Sequence, residues 1–186
     1  MSRNYRFHNP EAPYFVSFSV VEWLDVFTRN EYKDILIDSL HYCQEKKGME
    51  IYAWCIMSNH VHFVFRSTNG IPPGQLLGSF IRHTSMAVVK AIKENDRESR
   101  KENLLETFKR NGSKKSNVTY NQFWRQDNKP IELWSNFVIS QKIRYSQLRC
   151  SCTAAFTSYS TSLGFEKYEK TATIIISFSM ILKCTP

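Results

Sequence analysis

The stretch EIYAWCIMSNHVHFVFR, residues 50–66, determines how the chain folds. Aromatic and β-branched residues fill the runs on both sides of Ser58 and Asn59, as is typical of strands. The Ser-Asn pair between the two runs is a tight-turn dipeptide. The stretch therefore predicts two strands, residues 50–57 and 60–66, joined as a β-hairpin.

Helical periodicity flanks the hairpin on both sides. Apolar residues recur at spacings of three and four over residues 29–47 and 75–94, which predicts two amphipathic helices, and Gly48 is the expected C-cap of the first. The other predicted elements are a first strand at 14–21, a mobile charged loop or solvated helix extension at 95–116, a fourth strand at 118–124, and a third helix at 134–145 with Ser135 or Asn136 as N-cap. The order β-α-β-β-α-β-α indicates an α+β protein with the ferredoxin-like split βαβ plan, an antiparallel sheet with helices on one face.

The charge balance points to a polyanionic partner. The 186 residues include 25 Lys and Arg against 17 Asp and Glu, which gives a net charge of +8. Such an excess favours nucleic acid among the possible partners. Apolar residues make up 42% of the chain, so a disordered or fibrous class does not fit.

The cysteine pattern and the length of the apolar runs predict the cellular compartment of the protein. The five cysteines include no Cys-x-x-Cys pair, so neither a disulfide framework nor a zinc knuckle is expected. No signal-peptide pattern opens the chain, and the longest apolar run, residues 174–182, is too short to cross a bilayer. We expect a cytoplasmic protein with reduced cysteines and no membrane partner.

The composition changes after Tyr145. Residues 146–186 are rich in Ser and Thr, poor in charge, and without helical periodicity. We therefore divide the chain into a domain at 1–145 and an atypical tail at 146–186. The tail is expected either to add a strand to the sheet or to be sequence out of register with the domain, since local inconsistency is evidence against a selected element.

His60 and His62 are the candidate metal ligands. On a strand, residues two apart point to the same sheet face, so both imidazoles lie one pleat apart, whereas Val61, Phe63 and Phe65 point into the core. Two imidazoles so placed can bind one divalent ion. The alternative is that both are exposed polar residues on the solvated face of the sheet, because a His-x-His triplet also recurs by chance.

Residues 57–64, MSNHVHFV, resemble the His-apolar-His signature of the single-tyrosine HUH transposases, which include insertion-sequence and REP-associated tyrosine transposases. The aromatic first strand, the YAWCIMSN lead-in, the long following helix and Phe123-Trp124 lie in the order that this family shows. The resemblance extends over roughly residues 5–145 and is specific because several elements recur at compatible separations.

The resemblance implies an enzyme that cuts and rejoins single-stranded, hairpin-bearing DNA. In this family the two histidines hold Mg²⁺ or Mn²⁺, and a helical tyrosine attacks the scissile phosphate to form a 5′-phosphotyrosine. The position of that tyrosine corresponds to Tyr145, with Tyr120 in reserve because its strand could border the histidines. A homodimer associated with the nucleoid is implied by the family alone.

This chain departs from the family pattern one helical turn after the tyrosine. The family places Asn or Gln at that position to complete the metal site, whereas this chain has Arg149, whose guanidinium has no acceptor to ligate a metal. We therefore expect hairpin binding to persist and strand cleavage to be weak. The alternative function is a degenerate or domesticated hairpin-binding protein without catalysis.

Cations interleaved with aromatic residues mark the candidate DNA surface, since this composition is typical of single-strand binding. A solvated charged loop is the alternative for such a run. The predicted DNA-binding residues are Lys109, Arg110, Lys114, Lys115, Tyr120, Trp124 and Arg125, with Arg82 and Lys90 extending the patch from the second helix.

Overall fold

The computed structural model describes residues 7–113, 121–126, 129–135, 137–138 and 141–142, and the backbone of Ala154–Ala155. The elements are β1 (Tyr14–Ser19), a 3-10 turn (Val21–Trp23), α1 (Asn30–Lys47), β2 (Met49–Ile56), β3 (His60–Ser67), α2 (Pro73–Glu94), α3 (Lys101–Ser113), β4 (Ile131–Glu132) and β5 (Ala154–Ala155). The strands form one antiparallel sheet in the order β4-β1-β3-β2-β5. This arrangement confirms the predicted α+β, ferredoxin-like class, and it places β3 at the centre.

The predicted hairpin is the middle of this sheet. β2 and β3 pair in antiparallel register from Ile56 opposite Val61 to Met49 opposite Ser67, with a bulge between Ile51 and Ala53. Gly48 ends α1 in the left-handed conformation at φ 64°, so the predicted C-cap is confirmed. The tight turn fixes the register of β2 and β3, and the register fixes which side chains of β3 face the helices.

Helices α1 and α2 cover one face of the sheet and enclose the main core. Phe63 is fully buried there, and its ring meets those of Phe18 and Phe80 edge to face, with centroids 5.6 Å and 5.5 Å away. Each fully buried apolar side chain of this size stabilises the fold by about 1.5–3 kcal/mol relative to an exposed one. The core therefore holds β3 in place from the helix-covered side.

Two predicted elements are wrong in detail. The segment at 95–116 is predicted as a loop or solvated extension, yet it contains α3, whose Leu104 and Phe108 are buried in the main core. The strand predicted at 118–124 is absent from its described part, 121–124, where a single bridge joins Trp124 to Val20. The strand that pairs with β1 on the side away from β3 is instead β4.

The second face of the sheet is partly covered as well. Phe15 of β1, Val64 of β3 and Leu133 form a small buried cluster, and Val138 packs against it. Residues 137–138 and 141–142 are helical, in agreement with the predicted third helix, and Ser135 Oγ accepts a hydrogen bond of 3.3 Å from the Val138 backbone N–H as an N-cap does. The chain that leads towards Tyr145 thus starts across this second face.

Two residues of the tail extend the sheet. Ala154–Ala155 pair antiparallel with Trp54 and Cys55 at the edge of β2. This pairing fits the expectation that the tail adds a strand, and the division of the chain at residue 145 stays a prediction. No helix within the described ranges has the length and apolar character needed to cross a membrane.

The cysteines differ in part from the expectation of reduced thiols. Cys43 is a free thiol buried in the main core, and this burial raises its pKa. Cys55 on β2 is disulfide-bonded, which differs from the expectation of reduced cysteines. A thiol of raised pKa is largely protonated at neutral pH, so Cys43 acts as a small apolar core residue.

Candidate active site

His60 and His62 lie side by side on one face of the central strand. Their ring centroids are 4.8 Å apart, with the ring planes at 78°. The cross-strand partners on β1 are Ser19 for His60 and Ser17 for His62. Because β3 alternates strictly, Val61 and Phe63 lie on the opposite, helix-covered face and are fully buried. The predicted placement of the pair is confirmed.

Asn59 sets the tautomer of His60. The Asn59 side-chain Nδ2 donates to the Trp23 carbonyl oxygen at 3.3 Å, which orients the amide. Its Oδ1 then lies 2.7 Å from His60 Nδ1, and since an amide oxygen only accepts, the imidazole carries its proton on Nδ1. In the neutral ring this tautomer leaves the lone pair on Nε2, the form in which an imidazole ligates a metal.

His62 differs from His60 in being buried, with 6% of its surface exposed. The Phe15 ring stacks on it at a centroid distance of 5.5 Å and an angle of 20°. This burial does not fit the alternative that both histidines are solvated surface residues. An imidazole held in a fixed orientation by an aromatic neighbour is preorganised for a specific interaction.

The segment before Tyr145 lies over the same face. The ammonium of Lys142 is 5.2 Å from the ring centroid of Phe15, the residue that stacks on His62. Val138 packs on the Phe15 cluster one turn earlier. Lys142 precedes Tyr145 by three residues, whereas Tyr145 itself lies outside the described residues, as do Tyr120, Lys114, Lys115 and Arg149.

Of the four described tyrosines, three lie away from the histidine face and Tyr52 lies on it. Tyr14 donates to the Asn9 carbonyl oxygen at 2.8 Å, and Tyr32 is buried beside Glu98. Tyr52 shares the histidine face, but burial, with Glu50 beside the phenol, raises its pKa to about 12. Tyr42 is exposed on α1, in the helix layer on the other side of the sheet. Within the described part of the chain, no tyrosine is both near the pair and easily ionised.

Trp23 is a site residue that the sequence analysis missed. It is 53% exposed, and its ring lies 5.9 Å from the His60 ring at an angle of 79°. Glu22 and Trp23 both adopt left-handed backbone angles, φ 53° and 56°. Such angles cost about 1–3 kcal/mol per non-glycine residue and persist only where the surroundings hold them. No local sequence signal distinguishes this tryptophan from a buried one.

Residues from α3 support the Trp23 turn. Arg110 Nη2 donates to both carboxylate oxygens of Glu22, at 3.0 and 2.9 Å, and Asn111 donates to the same carboxylate at 2.8 Å. The Val21 N–H donates to the Phe123 carbonyl oxygen at 2.9 Å. In this structure the Arg110 guanidinium is paired with Glu22, and its predicted contact with DNA stays a prediction.

The other predicted DNA contacts divide between two sides of the sheet. Arg125 lies at the site, because its N–H donates to the Ser19 carbonyl oxygen at 2.8 Å and its guanidinium is 5.3 Å from the Trp23 centroid. Lys109 is exposed on α3. Arg82 and Lys90 are exposed on α2, which covers the face opposite the histidines. The structure therefore brings Arg125 to the pair and leaves Arg82 and Lys90 apart from it.

Trp124 is a core residue, which corrects the expectation that it stacks on bases. It is 4% exposed, its ring meets Phe18 edge to face at 4.7 Å, and its indole N–H donates to Thr84 Oγ1 at 3.1 Å. A tryptophan whose N–H is satisfied inside the core has no free face for a base.

Comparison with known proteins agrees with this geometry. The family model described as "Transposase IS200 like" matches residues 20–126, more than half of the chain. A REP-associated tyrosine transposase, solved bound to a REP hairpin, is 13% identical with a TM-score of 0.53, over 80% of this chain and 72% of that one. A proposed transposase of Deinococcus radiodurans R1 is 15% identical with a TM-score of 0.45, over 79% of this chain and 97% of that one. No curated protein matches significantly.

The fold and the site define an α+β domain of the tyrosine-transposase fold with an adjacent histidine pair on its central strand. The chain belongs to the IS200-like transposase family. The matched residues include His60 and His62 and end before Tyr145. The chain is thus a transposase-family protein, which binds DNA and takes part in DNA transposition.

Proposed function

We propose that the protein cuts and rejoins single-stranded DNA next to a hairpin, with Tyr145 as the nucleophile and His60 and His62 as metal ligands. The observation that carries the proposal is the fixed histidine pair with Lys142 of the incoming helix above it, since Phe15 lies between Lys142 and His62. Tyr145 follows Lys142 by three residues, so on a continuing helix it would lie on the same helix face as Lys142.

The histidine pair fits a divalent ion. His60 Nδ1 is oriented by its hydrogen bond to Asn59 Oδ1, so Nε2 is the nitrogen that would face an ion, and His62 stands beside it on the same face. No cluster of three or more metal-ligating side chains occurs within the described ranges, so phosphate oxygens and water would complete the coordination. Mg²⁺ or Mn²⁺, held by the two histidines, would polarise the scissile phosphate and lower the cost of a nearby phenolate.

The chemistry that the chain supplies is transesterification. The Tyr145 oxygen forms a bond to phosphorus, the bond from phosphorus to the 3′-oxygen breaks, and the phenolic proton ends on that 3′-oxygen. The product is a 5′-phosphotyrosine, and the reverse reaction with another 3′-hydroxyl rejoins the DNA without ATP. An ordinary phenol has a pKa near 10, so the reaction needs the charge stabilisation that the site offers.

DNA is the proposed partner on three grounds. The chain belongs to a transposase family, a protein of the same fold was solved with a REP hairpin, and the net charge is +8. Lys109 and Arg125 are the described cations that serve this surface, and Lys114 and Lys115 belong to the same proposed patch. We also propose a homodimer, as the family resemblance implies.

The test uses a labelled pool of DNA hairpins with randomised single-stranded flanks, so that no target sequence is assumed. We expect a covalent adduct that survives denaturation in Mn²⁺ and disappears in EDTA, with hairpin binding in both conditions. Because Arg149 replaces a metal ligand, Arg149→Asn should raise the adduct yield. Binding without any adduct, even for Arg149→Asn, would contradict strand cleavage and favour the non-catalytic hairpin binder.

A second test concerns Asn59. Asn59→Ala removes the acceptor that holds the His60 proton on Nδ1, so Mn²⁺ affinity should fall about 10–100-fold, as for other partners that orient metal-binding histidines. Calorimetric titration with MnCl₂ measures the loss. Asn69→Ala, in the exposed turn between β3 and α2, is the matched control. Unchanged Mn²⁺ affinity in Asn59→Ala would rule out this positioning role.

A further inference from the structure

We propose that Trp23 is a stacking platform for an unpaired base of single-stranded DNA at the histidine pair. The proposal rests on the proposed DNA substrate and adds a binding site for a nucleobase next to the scissile phosphate. The ring of Trp23 is 5.9 Å from that of His60, so a nucleotide whose phosphate lies at His60 has a base within reach of the indole. At 53% exposure, the indole keeps a large open surface for that base.

The surroundings of Trp23 hold it outward. A tryptophan beside an aromatic core gains stability by burial, as Trp124 does nearby. Trp23 is instead kept exposed by two successive residues with left-handed backbone angles. Three hydrogen bonds to the Glu22 carboxylate, from Arg110 and Asn111, and one from Asn59 to the Trp23 carbonyl oxygen fix this turn. The turn therefore presents the indole in one orientation.

The charge next to Trp23 favours a nucleic acid over a protein partner. The Arg125 guanidinium lies 5.3 Å from the indole centroid, a cation–π distance, and it can also contact a phosphate. An aromatic ring beside a cation that follows the backbone is the arrangement by which proteins bind single strands without sequence preference. A nucleic acid also accounts for the position of Trp23 beside the proposed phosphate site at His60, which a protein partner would not require.

Asn59 connects the turn that carries Trp23 with the imidazole of His60. Asn59 donates to the Trp23 carbonyl oxygen and accepts from His60 Nδ1. One side chain thus fixes both the backbone that carries the base platform and the imidazole that faces the phosphate. We infer that the base and the phosphate of the bound strand are positioned together.

The experiment measures binding without cleavage. Fluorescence anisotropy in EDTA follows a labelled oligothymidine of roughly 12 nucleotides, within the range of single-strand site sizes. We expect Trp23→Ala and Trp23→Leu to weaken binding about tenfold, within the range for loss of one stacked base, and Trp23→Phe to keep most of the affinity. Tyr42→Ala, which removes an exposed aromatic from the opposite side of the sheet, is the control and should bind as the unmodified protein does.

A second oligomer separates stacking from other effects. On an abasic strand of the same length, the unmodified protein and Trp23→Leu should bind equally, because no base is left to stack. Any one of three results would overturn the platform. The first is that Trp23→Leu and the unmodified protein bind oligothymidine with equal affinity, and the second is that the unmodified protein does not bind it detectably. The third is that Trp23→Leu weakens binding to the abasic strand as much as binding to oligothymidine. Trp23-dependent binding without any covalent adduct in Mn²⁺ would support the platform and contradict the cleavage proposal, so the two can fail separately.

Discussion

Tyr145→Phe is expected to abolish the covalent protein–DNA adduct, with a fall of at least about a thousandfold, because the phenolic oxygen is the atom that bonds to phosphorus. The phenylalanine keeps the ring and so preserves packing and hairpin binding. The adduct is measured on denaturing gels after incubation with the labelled hairpin pool and Mn²⁺. Hairpin affinity, measured in EDTA, should change little, which separates loss of chemistry from loss of fold.

Two other tyrosines serve as comparisons. Tyr52→Phe should leave the adduct intact. The Tyr52 hydroxyl donates a hydrogen bond to the Glu50 carboxylate at 3.0 Å, and its pKa is raised to about 12. A phenol of that pKa is almost fully protonated at neutral pH and is a poor nucleophile. Tyr120→Phe tests the reserve candidate. An adduct that survives in Tyr145→Phe and disappears in Tyr120→Phe would move the nucleophile to Tyr120.

The sequence predicted the parts of the fold that depend on local patterns. The hairpin and the two long helices follow from strict apolar periodicity, and the shared face of His60 and His62 follows from the two-residue repeat of a strand. In α3 the apolar residues Leu104 and Phe108 are also four apart, but the many charges around them favoured the interpretation of a solvated loop. With only two residues, β4 is too short for a periodic signal, and its position is set by pairing with β1.

The site was predicted less completely because its contacts are long-range. Trp124 lies next to cations in the sequence, which suggested a base-stacking role, but its indole N–H meets Thr84 forty residues away. Trp23 stands in an ordinary apolar context, and its position beside His60 depends on the turn that Asn59 and α3 hold. Sequence spacing could not distinguish the buried tryptophan from the exposed one.

His60→Ala is expected to weaken Mn²⁺ binding by more than about a hundredfold, beyond the loss expected for Asn59→Ala, because it removes a ligand and not merely its orientation. Adduct formation should fall with it. Free Mn²⁺ counted by electron paramagnetic resonance gives the affinity, and the labelled hairpin pool gives the adduct yield. His83→Ala is the matched control, since His83 is exposed on α2, across the sheet from the pair.

His62 needs a different substitution because it is buried beneath Phe15, and alanine would leave a cavity. His62→Gln keeps much of the volume and replaces the imidazole by an amide, a weaker metal ligand. If the two histidines share one ion, either variant alone should reduce Mn²⁺ affinity and adduct yield to a similar extent, and the double variant should add little, since the effects of residues in contact are not additive. Additive losses from His60→Ala and His62→Gln, or full Mn²⁺ affinity in either folded variant, would contradict a shared ion.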